Sequence, residues 1–243
     1  MIIAIMQPTF IPWVGYFDMM DKVDLFLYLD DVQLQKRSWQ VRNKLKNKNG
    51  EYWLTIPIAK KSSRNETLIS NAEISYNTNW IQKSLKTIEY SYKKTEYFEE
   101  VFPFVCSMFN EEKLLSDFNI GLIERVRLKL KIKTRAIRTS EIKNVKGSKD
   151  ERLVQIITKL KYGKYLSPLS SANYINRKSK GGEFAKKNIE LYYNSYEHPV
   201  YQQLNTEFTA YLGILDLLFN VGFNNSLETI ISGRQKNIHY TKI

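Results

Sequence analysis

Ile2-Ile3-Ala4-Ile5-Met6, running into Gln7-Pro8-Thr9-Phe10-Ile11-Pro12-Trp13-Val14-Gly15-Tyr16-Phe17, is the stretch on which the fold turns. Five apolar residues without polar alternation are the pattern of a strand buried on both faces. Pro8 and Pro12 exclude regular structure from the segment that follows, because each lacks an amide proton and restricts the residue before it. Residues 15–22 suit a short helix. Residues 24–29, Asp-Leu-Phe-Leu-Tyr-Leu, suit a second buried strand. Strand, loop, short helix, strand is the opening of a parallel α/β unit. The expected fold is therefore α/β, with a Rossmann-like, partly parallel sheet.

Outward from this opening, Asn49-Gly50 is the strongest turn signal, so residues 41–58 are expected to form a hairpin. Residues 60–65 read as a polar loop and 68–75 as a strand. Residues 79–130 carry apolar positions at helical spacing and give the fold a helical middle section. Residues 149–160 read as an amphipathic helix, 165–167 and 189–193 as strands, and 207–219 as a helix closed by Gly222 as its C-cap. The polar tail from Gln235 is expected to be mobile. The length fits one domain over 1–243, with two lobes of about 1–140 and 141–243 sharing a cleft as the finer division.

Composition narrows the function. Apolar residues make up 43% of the 243, enough for a proper core, and 16 residues are tyrosines, which suit a wet groove. The net charge of +12 favours anionic partners such as nucleotides or nucleic acid, although the Lys, Asn and Ile richness is also the signature of an AT-rich genome. A lone cysteine, Cys106, excludes a disulfide framework or a cysteine metal site within the chain, and its apolar context suggests an inert thiol. The two histidines, His198 and His239, make a zinc site improbable. No basic leader and no apolar run of membrane-spanning length is present, so a cytoplasmic location is expected.

Five segments are candidates for chemistry. The 7–17 segment follows a parallel strand, where open α/β sheets bind ligands. There Gln7 offers a donor and an acceptor, Trp13 and Tyr16 offer stacking faces, and Gly15 allows close approach at a helix N-terminus. The competing reading is a stiff aromatic plug. The loop lacks the paired histidines of adenylyl-transferring enzymes. Asp30-Asp31 after the second strand suits a divalent cation or a general base, or is simply a solvated strand end. Arg37, Trp39, Arg42 and Asn43 interleave cations with an aromatic and suit phosphate binding with stacking; a solvated basic loop is the alternative. Ser167 opens a serine-rich loop that suits a phosphate or hydroxyls, or a plain turn; the nucleophile-elbow motif is absent. His198, with Glu197 and Tyr201 nearby, is a candidate base or a structural histidine.

In order along the chain, the sequence resembles the WbqC-like family of bacterial surface-polysaccharide gene clusters. The matching pieces are the 7–17 segment, Asp24-Leu25-Phe26, Asp30-Asp31-Val32-Gln33 and Arg37-Ser38-Trp39-Gln40 with Arg42-Asn43. Further on they are Trp53-Leu54-Thr55-Ile56-Pro57, Tyr165-Leu166-Ser167, the His198–Tyr201 stretch with Gln203, and residues 214–222. Pro168 stands where that family usually has glycine, and Val41 where it usually has asparagine. The resemblance implies a role in making O-antigen or related surface polysaccharide; together with the basic, aromatic segments and the absence of a nucleotide-hydrolysis motif, it leads to the expectation of a transferase that modifies a nucleotide-activated amino sugar by N-acylation or aminoacylation. In that scheme His198 or Asp31 is the base and Arg37 and Arg42 hold the diphosphate. Gln7, Trp13, Gly15, Tyr16, Asp30, Trp39, Asn43, Ser167 and Tyr201 complete the substrate site. An acyl-CoA or an aminoacyl-tRNA is the donor, and tRNA or other polysaccharide enzymes are candidate partners. A nucleotidyl-transfer enzyme, a non-catalytic scaffold and a nucleic-acid binder are the rival readings.

Overall fold

A computed structural model describes residues 1–60, 67–177, 179–204 and 207–243. The polar loop expected at 60–65 lies, beyond Lys60, outside the described residues. The buried run Ile2–Met6 forms β1, α1 spans Val14–Asp21 and β2 spans Leu25–Tyr28. A separate hairpin follows, β3 at Arg42–Asn47 and β4 at Gly50–Thr55, closed by the pair Asn47↔Gly50. Three helices make up the helical middle: α2 at Trp80–Tyr92, α3 at Phe98–Met108 and α4 at Leu115–Lys129. Next come β5 (Arg135–Arg138), α5 (Lys149–Lys159), β6 (Lys164–Pro168), α6 (Ala172–Ile175), α7 (Gly182–Lys186) and β7 (Glu190–Asn194). The chain closes with α8 (Leu215–Ser232) and β8 (Ile238–His239).

The main sheet has the order β5-β2-β1-β6-β7-β8, parallel throughout except for β8, which runs antiparallel to β7. Counted along the chain, its five parallel strands stand in the order 3-2-1-4-5, that of the doubly wound Rossmann-like sheet. Three strands precede residue 140 and three follow it, in one continuous sheet. Side chains alternate between two cores, as strand geometry requires. Ile3, Ile5, Leu25 and Leu27 pack with α5, α6 and α7. Ala4, Phe26 and Tyr28 pack with α1, α4 and α8 on the other face. The connection leaving β1 crosses one face and the connection entering β6 crosses the other. The two therefore diverge at the carboxyl ends of β1 and β6, leaving a crevice there.

Four expectations are corrected. Residues 68–75 do not form a strand. Ile69–Asn71 is one 3-10 turn, and the amides around it bond to separate segments: Ile69 N–H to the Val32 carbonyl, Ser70 N–H to Asp30 and Ile74 N–H to Lys113. Its apolar residues are buried by being a junction. The helix expected at 207–219 begins only at Leu215, because the amides of Gly213 and Ile214 are held by the carbonyls of Lys44 and Pro12. Gly222 does not end that helix. With φ 75° and ψ 169° it kinks α8, which resumes to Ser232. The tail is not free: β8 pairs with β7, and Tyr240 packs on the second core.

Candidate functional site

A cavity of about 870 Å³ opens at the carboxyl ends of β1 and β6, lined by Met6 from one and Tyr165 and Pro168 from the other. This is the topological switch point of the sheet, where such folds bind ligands. The volume lies within the range of roughly 300–1,000 Å³ usual for small-molecule sites. Gln7, Trp13, Gly15 and Tyr16 form one wall, Trp39, Gln40 and Asn43 a second, and Ser170, Ser171 and Tyr174 a third. Asn194, Tyr196 and Tyr211 close it. Among the described residues, none of those lining it carries a charge.

The first wall is built from side-chain amides because its backbone cannot join a sheet. Pro8 and Pro12 leave carbonyls without ladder partners. The Asn43 amide donates to the carbonyls of Phe10 (3.0 Å) and Ile11 (2.8 Å). The Asn119 amide donates to those of Pro8 (3.0 Å) and Gln40 (2.8 Å). Gln40 donates in turn to the Gln7 side-chain oxygen at 2.6 Å. Gln7 is thus braced, with its amide group at the cavity. Gly15 is required by a close approach. A Cβ there would lie 2.3 Å from the Trp13 indole, which folds across the start of α1. Tyr16 is buried, its hydroxyl donating to the Gln7 carbonyl at 3.3 Å.

The basic candidates stand outside the cavity. Arg37 is exposed, with φ 54°, and its carbonyl accepts from Arg42 Nε at 3.0 Å. The Arg42 guanidinium lies 4.1 Å over Trp53, whose ring is 5.4 Å from that of Trp39. Trp39, half exposed, is therefore the joint between an uncharged interior and a cationic rim.

Asp30 and Asp31 are not brought to the cavity. Asp30 is fully buried and accepts from the Ser140 amide (3.0 Å) and hydroxyl (2.8 Å). Asp31 is paired with Arg152 and with the Thr139 hydroxyl. Both tie β2 to the end of β5. Among the described residues, no group of three or more His, Cys, Asp or Glu is placed to hold a metal. Ser167 is buried and does not line the cavity.

His198 sits behind the wall. Its Nδ1 is 2.9 Å from the Pro199 carbonyl, which can only accept, so Nδ1 carries the proton and Nε2 is left as an acceptor. Nε2 is buried and has no partner among the described residues. Trp13 stacks on the imidazole at 6.2 Å and 20°, with Tyr211, Phe208 and Tyr201 at 5.2, 5.6 and 6.2 Å. Burial pulls its pKa down, favouring the neutral ring.

Tyr201 belongs to a second centre that sequence reasoning missed. Buried Asp216 accepts from Tyr92 (2.9 Å), Tyr201 (2.9 Å) and Gln203 (2.8 Å). Gln203 accepts at its oxygen from Lys46, itself buried and also bonded to the Glu207 carbonyl. Burial raises the Asp216 carboxyl to about 6. The wall residues Gln40, Asn194 and Tyr211 were also missed. Asn194 was findable, as the last residue of a parallel strand; nothing in the sequence marked Tyr211.

The WbqC-like protein family matches residues 7–228, which takes in every cavity wall from Gln7 to Tyr211 and the Asp216 centre. The chain belongs to the WbqC-like family. A relative from Mycobacterium tuberculosis (strain ATCC 25618 / H37Rv), described as "Uncharacterized protein Rv1507c", is 32% identical over 227 residues, covering 90% of this chain and 94% of its own. No solved structure matches the chain. This WbqC-like protein has, among its described residues, no helix long and apolar enough to cross a membrane.

Proposed function

We propose that this WbqC-like protein binds a nucleotide-linked amino sugar in the switch-point cleft and transfers an acyl or aminoacyl group to its nitrogen during surface-polysaccharide synthesis. One observation carries the reading: an uncharged cavity of amides, hydroxyls and aromatic faces, with cations outside it beside Trp39. Amide and hydroxyl groups match the hydroxyls of a sugar ring, and aromatic faces suit its apolar side. A diphosphate finds no cation among the described residues of these walls. It lies instead at the rim, beside Arg37 and Arg42, with the base against Trp39.

The chemistry needs an acyl ester or thioester as co-substrate, as in an aminoacyl-tRNA or an acyl-CoA. The sugar nitrogen attacks the carbonyl carbon, a C–N bond forms, the C–O or C–S bond breaks, and the leaving alcohol or thiol departs with a proton. A second reading draws on the same walls. Apart from tyrosines, no ionisable side chain lines the cavity among the described residues, which also suits a protein that binds and presents the sugar without transforming it.

Thermal-shift measurements with a nucleotide-linked amino sugar, ATP with Mg²⁺ and bulk tRNA test the proposal, since a ligand of the native state raises Tm by mass action. The amino sugar is expected to stabilise, and Trp13→Ala and Arg42→Ala to weaken its binding. Stabilisation by ATP alone would favour nucleotidyl transfer instead. A flat response to every ligand would refute the cleft as a nucleotide-sugar site.

A further inference from the structure

The imidazole of His198 poses a physical problem. A buried acceptor without a donor costs roughly 1–3 kcal/mol, and such groups are rare in folded proteins. The bond from Nδ1–H to the Pro199 carbonyl fixes the tautomer, so Nε2 presents a lone pair that nothing among the described residues satisfies. The rings caging it include two that also line the cavity, Trp13 and Tyr211. Trp13 also meets Tyr196 edge-on at 5.6 Å and Tyr211 at 5.4 Å. Three aromatic rings thus converge on one corner of a cavity lined, among the described residues, by no carboxylate.

Such a corner has a definite preference. Aromatic faces carry negative quadrupole density and attract an ammonium group, the attraction growing as water is excluded. A neutral imidazole held among them adds an acceptor without adding a positive charge that would repel the ligand. A hydroxyl at the same place gains only an ordinary hydrogen bond.

We infer that the corner of Trp13, Tyr196 and Tyr211 is the subsite for the amino group of the sugar, and that His198 takes that group's proton. The inference rests on the reading of the cleft given above. Tyr211 is 60% exposed, so its ring has open space to turn into, and in this scheme it turns to admit the amine to Nε2. The step balances simply: an N–H bond of the ammonium breaks, the proton passes to Nε2, and the electron pair stays on the nitrogen, which becomes the nucleophile. The imidazolium is then the proton source for the leaving group of the ester or thioester. His198 contacts the reacting nitrogen and is a catalytic residue in this scheme. Trp13, Tyr196 and Tyr211 bind.

The chain has only two histidines, so imidazole ¹⁵N spectra of the full-length protein can be read directly, with partly exposed His239 as internal reference. The probes are one nucleotide-linked amino sugar and its counterpart with hydroxyl in place of the amine. In the free protein, His198 is expected to show a protonated Nδ1 and a bare Nε2. The amino sugar is expected to move the Nε2 resonance toward the imidazolium position, the hydroxyl analogue to move it only by the smaller shift of a neutral hydrogen bond, and His239 to respond to neither. By calorimetry the amino sugar binds more tightly than the analogue, and Tyr211→Leu lowers that preference about threefold to tenfold. Equal affinity for the two probes, or an Nε2 resonance indifferent to the amine, overturns the inference while leaving the cleft reading intact. Binding of neither probe overturns both. The spectra use the unmodified chain, so a Tyr211 variant that fails to fold does not shield the inference.

Discussion

Asp216→Asn removes a buried carboxylate whose ionisation opposes folding. The side chain is 1% exposed on α8, faces the hydroxyls of Tyr92 and Tyr201 and the amide of Gln203, and has Lys46 as the nearby cation, with Tyr52 further off. Three donors and one lysine do not offset its desolvation, and its pKa stands at about 6 against the ordinary 3.8. A native pKa above the unfolded one means that the folded chain binds more protons between these values. The stabilisation is then fully present below the unfolded pKa and is lost as pH rises through about 6. Integrating the linkage relation between pH 7 and pH 5 gives on the order of 1 kcal/mol of added stability at the lower pH. His198 pulls the other way: its lowered pKa supports stability above the ordinary histidine value and withdraws it as pH falls. That contribution is common to wild type and variant and cancels in their difference. The assay is urea unfolding of both proteins at the two pH values. The variant has a lower baseline, because an asparagine NH₂ meets donors, but the test lies in the slope. The expected result is that wild type gains on the order of 1 kcal/mol relative to the variant on going from pH 7 to pH 5. Equal changes in the two proteins would refute the reasoning.

Three further outcomes are expected. Gly222→Ala puts a side chain into a backbone region open essentially to glycine and a Cβ 2.5 Å from the Tyr97 ring, so Tm should fall by about 5–10 °C in calorimetry. Arg234→Ala takes a 2.8 Å partner from fully buried Asp18, which keeps Lys22 at 3.1 Å and the Asn194 amide at 3.2 Å, and a 2.7 Å partner from Asp21; urea unfolding should show a loss of about 2 kcal/mol, partly restored by Arg234→Lys. Trp53→Ala removes a half-exposed ring that supports both Trp39 and Arg42, so stability should change by less than about 1 kcal/mol while binding of a nucleotide-linked sugar weakens about threefold to tenfold in titration calorimetry.

The parts of the molecule legible in the sequence are those whose cause is local. Ile2–Met6 reads as a buried strand because both its faces are covered, and Pro8 and Pro12 announce the loop that becomes a cavity wall. Gln7, Trp13, Gly15, Tyr16, Trp39 and Asn43, all singled out from sequence, meet at the cavity. What escaped is set by distant partners. Asp31 looks like a free acid until Arg152 is placed against it, and Asn43 looks like a ligand group until its amide is found on two backbone carbonyls. The late start of α8 depends on carbonyls of Pro12 and Lys44, some two hundred and one hundred and seventy residues earlier in the chain, which no local pattern encodes. Tyr211 reaches the cavity from a segment without regular structure where the sequence pattern predicts the start of a helix.

The position of β1 has a consequence for how the protein is made. β1 precedes both of its sheet neighbours in the chain, yet it stands in the middle of the sheet, with β2 on one side and β6 on the other. Its first pairing is available early, but Ile2 meets Lys164 only after most of the chain has been synthesised. Throughout that interval the nascent chain carries an apolar strand with one open hydrogen-bonding edge, the kind of edge that recruits other strands. The binding cleft comes later still, since its last wall is Tyr211. Chains terminated before β6 are therefore both unable to bind and prone to associate, and the central pairing is available some forty residues before the last wall of the cleft.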